Sequence, residues 1–191
     1  MFFMWVVMMI GMMIPSAAPM ILTYSSIGQL QKQYRHTLSF SMGYFTIWAV
    51  FSLIATISQW VLESAALLSP MLVNQSPLFG ALLLIAAGLY QFSSLKERCL
   101  IQCRTPFQFI INYLRPGASG AYGMGIRHGI YCVGCCWVLM ALLFVGGVMN
   151  LLWIAIITLF VLFEKVLPYG DKASKVSGTL LILAGGGYFM V

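Results

Sequence analysis

The chain has 191 residues, of which 61% are hydrophobic and 7% charged, with ten Lys and Arg against four Asp and Glu. A soluble domain carries roughly 25% charged residues, so the polar surface that would dissolve this chain is missing and a water-soluble globule is excluded. The net charge of +6 does not point to nucleic acid: the basic residues stand singly between apolar runs, with no face of interleaved base-stacking aromatics, and no nucleic-acid partner is expected.

Hydropathy instead predicts an all-α fold, a polytopic membrane helix bundle forming a single transmembrane domain over the whole chain. A bilayer core about 30 Å thick needs roughly 20 apolar residues per helix. Six segments qualify: Phe2–Leu22, Leu38–Leu62, Leu78–Leu95, Ile126–Val145, Met149–Leu167 and Val176–Val191. The first lacks a basic leader, and Pro19 directly follows the small pair Ala17-Ala18, so it reads as a retained helix and not as a cleaved signal. Pro15 and Pro19 are expected to kink its inner end.

Further along, Phe107, Ile110, Ile111 and Leu114 recur at helical spacing between Arg104 and Arg115, which predicts a short helix lying in the membrane interface. Pro116-Gly117 and the glycines at 120, 123, 125 and 129 read as a hinge into the fourth span. The fourth and fifth spans share one apolar run, Ile130 to Phe163, in which Gly146-Gly147 and Asn150 supply the only turn chemistry, so a tight hairpin is predicted there. In the last span Gly185-Gly186-Gly187 offers a smooth face for close helix approach. No internal repeat suggests a two-fold transporter architecture.

All ten Lys and Arg fall on alternate loops: Lys32 and Arg35 after the first span; Lys96, Arg98, Arg104, Arg115 and Arg127 after the third; Lys165, Lys172 and Lys175 after the fifth. The stretch Glu63–Pro77 and the hairpin near Gly146 have none. Excess Lys and Arg mark the cytoplasmic side, so the expectation is a multi-pass protein of the lipid bilayer with both termini outside.

The five cysteines form two groups, Cys99 with Cys103 and Cys132 with Cys135 and Cys136, each at the expected cytoplasmic end of a helix. At i and i+4, Cys99 and Cys103 present both sulfurs on one face, while His128, Cys132 and Cys136 form a second row that Met140 extends by a turn. Enough thiolates are present for a tetrahedral site, with His128 as a nitrogen donor. Cys99, Cys103, Cys132 and Cys136 are the favoured ligands, and Cys135 and His128 the alternates. Thiolates favour Cu(I), zinc or iron–sulfur chemistry over hard cations, and a reducing cytoplasm makes ligation or redox work a better use of these thiols than stable cross-links. Plain packing is the competing use of small, buried thiols.

Thirteen methionines accompany them, concentrated in the first span, where Met4, Met8 and Met12 make one i, i+4 row and Met9 and Met13 another. A thioether row could serve as a soft-metal path, which tilts the choice toward copper, although Met is also an adaptable filler between helices. Glu164 beside Lys165 could supply a carboxylate near the cysteines, a proton acceptor, or simply an ion pair. No nucleophile elbow, phosphate loop, zinc-protease helix or paired-carboxylate site is present, so hydrolytic catalysis has no support.

The stretch Met8–Ser16, the block Leu95-Lys96 with Cys99-Leu100-Ile101-Gln102-Cys103-Arg104-Thr105-Pro106, the run His128-Gly129 through Cys132-Val133-Gly134-Cys135-Cys136-Trp137, then Gly147–Asn150 and Glu164-Lys165, together resemble an uncharacterised family described as predicted metal-binding integral membrane proteins. The resemblance implies a bacterial or archaeal inner-membrane protein that binds metal, with the family's cysteine blocks on Cys99, Cys103, Cys132, Cys135 and Cys136 and its terminal acid on Glu164. The family has no established reaction. Longer relatives carry a segment upstream of the first motif, where this chain begins almost at once.

The leading expectation is a protein that handles, delivers or passes a soft transition-metal ion, preferably Cu(I), without catalysis, in contact with a membrane complex or a metallochaperone. Thiol redox or sulfur relay through Cys132, Cys135 and Cys136, and an accessory subunit packing by its Met and Gly rows, are the alternatives.

Overall fold

The computed structural model describes residues 1–27, 31–66, 76–167 and 170–189, and every regular element among them is helical. In chain order these are α1 (Phe2–Ile27), α2 (Gln31–Ser64), α3 (Pro77–Gln91), α4 (Ser94–Arg104), α5 (Pro106–Tyr113), α6 (Gly117–Ala141), α7 (Leu143–Gly146), α8 (Leu151–Val166) and α9 (Gly170–Phe189). The all-α expectation holds. Much of the loop expected between Glu63 and Pro77, and the end of the last span at Val191, lie outside the described residues.

The helix ends follow local chemistry. Ser76 caps α3 by accepting from the Phe79 N–H ahead of Pro77, and Asn150 caps α8 by accepting from the Trp153 N–H at 3.2 Å. The predicted hairpin between the fourth and fifth spans is there. Gly147 takes a φ of +90°, a region closed to most side chains, and the Trp153 indole N–H donates to the Leu142 carbonyl at 3.0 Å, covering the end of the preceding helix. The short helix expected in the third loop is α5, while α1 runs on as one helix through Pro15 and Pro19.

Three expectations change. The third span is not one helix: it breaks after Gln91, and α4 leaves α3 at a bend of 64°. Phe92 and Ser93 close the break with bonds from their N–H groups to Leu89 and Tyr90, so Lys96 opens a new helix in place of extending the old one.

Nor are the six expected spans all long enough. Among the described residues three helices have the length and hydropathy to cross a bilayer, within residues 2–26, 34–64 and 117–146, or up to four if α3 and α4 count as one bent span. At 16 residues α8 reaches only about 24 Å, and α9 starts on Asp171, Lys172 and Lys175, which leave too short an apolar remainder.

Finally, the glycines expected to form a hinge lie inside α6. Gly125 and Gly129 serve close packing against α2. A Cβ on Gly125 would stand 2.0 Å from the Phe40 carbonyl oxygen of α2, a distance no side chain tolerates. Only Gly117, with φ of +84°, acts as a turn.

The chain divides into two helical units, Met1–Ala55 with Arg98–Cys135, and Thr56–Glu97 with Cys136–Val191. In the first, Met20, Tyr24, Phe40, Phe109, Ile110, Ala121 and Met124 form one buried cluster. In the second, α3 lies along α9 through small residues: a Cβ on Gly88 would meet the Gly178 carbonyl at 2.7 Å, and one on Gly185 the Ala81 carbonyl at 3.0 Å. Gly185 alone of the expected glycine trio packs, since Gly186 and Gly187 face open space.

A buried ion pair sits in this second unit. The Lys96 ammonium donates to both Glu164 oxygens, at 2.8 and 2.9 Å, and to the Gln91 amide oxygen across the α3–α4 break. Ser174 of α9 donates to the same Glu164 at 2.6 Å. Lys96 and Glu164 are each 98% or more buried, so a lysine expected in a loop is core.

Two sets of substitutions test this packing by thermal unfolding of the purified chain. Gly125→Ala should cost about 1–3 kcal/mol by forcing α6 off the α2 backbone, whereas Gly123→Ala, whose Cβ meets nothing within 4 Å, should be neutral or gain up to about 1 kcal/mol of helix propensity. Glu164→Gln should cost about 3–5 kcal/mol by leaving the Lys96 charge buried and uncompensated, and Lys96→Met combined with Glu164→Leu should recover most of that loss.

Candidate metal centre

The candidate centre is built on one face of α6, within the first unit. His128 is buried among three rings, with centroids of Tyr44, Phe109 and Phe40 at 5.5, 5.4 and 6.0 Å. One turn on, Cys132 is buried with its Sγ 3.1 Å from the Tyr44 hydroxyl, in a hydrogen bond that either atom could donate. Cys135, also buried, donates its S–H to the Cys132 carbonyl at 3.1 Å. Tyr44 thus touches both the imidazole and the first thiol of the row. Sequence reasoning missed it, because a tyrosine inside an apolar span has no partner legible from spacing.

The other cysteine group reaches the same stretch of α6. Cys99, on α4, lies directly over Gly134: a Cβ on that glycine would stand 2.8 Å from the Cys99 sulfur, so only glycine leaves room for the thiol. Gly134, between the cysteines of the Cys132–Cys136 block, is therefore the seat of the Cys99 thiol, a reason for its place that spacing alone does not reveal. Cys103, one turn beyond Cys99, is half-buried, and no disulfide joins any of the five cysteines.

The remaining candidates are placed elsewhere. Met12 is buried in α1, on a face with Met9, Met13 and Met20, while Met4 and Met8 of its expected row are only half-buried. Met20 belongs to the aromatic cluster around Phe40 and Phe109, where it packs. Cys136 and Met140 are buried in the second unit, as is Glu164, whose oxygens are engaged by Lys96 and Ser174. Of the three uses open to Glu164 in the sequence, the ion pair is the one observed. Lys96 itself went unrecognised, since counting it as a loop cation hid its burial.

Among the described residues no group of three or more His, Cys, Asp or Glu side chains is gathered closely enough to hold a metal ion. What the thiols offer is a close approach of two cysteine groups, walled by aromatic rings and glycine. Such an arrangement suits an ion satisfied by few soft donors better than one that needs a closed tetrahedral set.

A family model described as PpoB2, copper chaperone, matches residues 2–188. No curated protein and no solved structure matches the chain. The description agrees with the metal-handling part of the earlier resemblance, and the match runs through every cysteine, His128 and the methionine-rich first helix. The chain therefore belongs to the PpoB2 copper-chaperone family.

Proposed function

We propose that this protein is a membrane-embedded copper chaperone that takes Cu(I) as cargo on the thiolates of Cys99 and Cys135, at the cytoplasmic side of an inner membrane. Cys132 and Cys103, each one turn or less from a primary ligand, serve as exchange ligands. His128 is a reserve donor, and the buried face of α1 with Met9, Met12 and Met13 is a soft-donor row.

The observation that carries this reading is the seating of the Cys99 sulfur on Gly134, the residue that precedes Cys135 in the chain. Family membership supports copper over zinc or an iron–sulfur cluster, and so does the donor set: a thiolate pair satisfies a soft monovalent ion, whereas structural zinc calls for four ligands. The bilayer part of the reading rests on the three long apolar helices.

Chemically, loading is ligand exchange without electron transfer. Each thiol gives its proton to water as its sulfur binds Cu(I), and the donor that delivered the ion regains protons in turn. The Cys135 proton is held by the Cys132 carbonyl and that of Cys132 is shared with Tyr44, so both thiols have a local acceptor or donor when the ion leaves.

Competition between the purified protein and a coloured Cu(I) chelator tests the assignment. Cys99→Ser and Cys135→Ser should each weaken retention by 100-fold or more, beyond the roughly 10–100-fold that an outer-shell partner is worth. Affinity should climb with pH below the thiol range, by up to about tenfold per pH unit for every thiol that loses a proton. Equal retention by the wild type and the Cys99→Ser, Cys135→Ser double variant would end the proposal.

A further inference from the structure

The charges of this protein are divided unevenly between its two units. Thr56–Glu97 with Cys136–Val191 contains four lysines and all four acids, and is neutral. Met1–Ala55 with Arg98–Cys135 contains Lys32, Arg35, Arg98, Arg104, Arg115 and Arg127 and not one Asp or Glu, so the whole net charge of +6 resides there. No carboxylate side chain of that unit can neutralise its arginines.

Two of them converge on a cavity. A recess of about 210 Å³ lies where the turn after α5 enters α6, lined by Tyr113, Arg115, Ser119, Gly123, Arg127 and Ile130 among others. The Arg127 guanidinium lies over the Tyr113 ring at 4.3 Å, which holds it at the wall of the recess. Gly120 lets the chain fold back so that Arg115 stands against the first turn of α6, since a Cβ there would be 2.7 Å from both the Arg115 carbonyl oxygen and its Cβ. The N–H groups of that first turn, unsatisfied within the helix, add to the positive field of the two arginines and the Ser119 hydroxyl. Gly123 leaves the floor open, with nothing within 4 Å of where a Cβ would be.

We propose that this recess binds a phosphate group, and that the phosphate is that of an anionic phospholipid headgroup. A free phosphate would satisfy the same guanidinium geometry. The surroundings in the chain favour lipid. Ile130, which lines the cavity, and Phe107, Ile111 and Leu114, on and just after α5 and close in sequence to the lining residues Tyr113 and Arg115, are all more than half exposed, where acyl chains would cover them and where an aqueous anion would leave them wet. The inference rests on the bilayer part of the proposed function and not on copper, and its assay reads lipid, so the two can fail separately.

The test is native mass spectrometry of the intact, detergent-purified protein given phosphatidylglycerol or phosphatidylcholine. The wild type should retain phosphatidylglycerol in preference to phosphatidylcholine. Arg115→Gln with Arg127→Gln should weaken that retention about thirtyfold, at roughly 1 kcal/mol for each basic residue near an anionic surface. Gly123→Leu, which fills the recess while improving helix propensity, should lose the lipid with the fold intact, and this keeps the proposal falsifiable if the arginine variant does not fold. Inorganic phosphate at millimolar concentration should displace little of the lipid. Displacement of all of it would reassign the recess to a soluble anion and overturn the lipid assignment. Equal retention of both lipids, or retention unchanged in Gly123→Leu, would overturn the site altogether.

Discussion

A lysine and a glutamate sealed away from water hold the second unit to a single arrangement. Taking either charge out of water costs several kcal/mol, and the cost is offset only when the partners sit at full hydrogen-bonding geometry. Here all three ammonium protons of Lys96 are used, and Glu164 receives a further hydroxyl from Ser174. The participants come from α3, α4, α8 and α9. None of these helices can shift without stranding a charge, so the α3–α4 bend, the approach of α9 to α3 and the inner end of α8 are all fixed around one carboxylate.

The first unit is organised differently. It has no carboxylate to pair with, and its cohesion comes from glycines that admit neighbouring backbone and from aromatic rings around His128. Thiols placed in such surroundings are shielded from water, bonded to a phenol or a carbonyl, and free of nearby fixed negative charge. Two of its basic residues, Arg115 and Arg127, meet at the α5–α6 turn. Soft donors inside and hard cations at the rim are separated along a single helix, α6, between Arg127 and Cys135.

Much of this was legible in the residues and some was not. The helical class, the turn at Gly147 and the short helix α5 were readable, because apolar periodicity and turn residues act locally. The break after Gln91 was not: no Pro or Gly marks it, and it is stabilised by a lysine whose partner lies 68 residues away. The α6 glycines were misread as a hinge for a related reason, since a glycine needed for flexibility and one needed for closeness look alike until the opposing Phe40 carbonyl is seen. Hydropathy counted six spans because it weighs apolarity alone. Length in ångströms and the three ionisable residues opening α9 reduce the number. The cysteine groups were found by spacing, while their meeting over Gly134 required the fold.

The small-residue seam between α3 and α9 carries a consequence for how the molecule comes into being. The indole lid over the hairpin closes within eleven residues and can form as soon as Trp153 has been made. Gly88 has no such local recourse. Its mate, Gly178, stands on α9, so that ridge of α3 finds its cover only after every intervening helix has been translated.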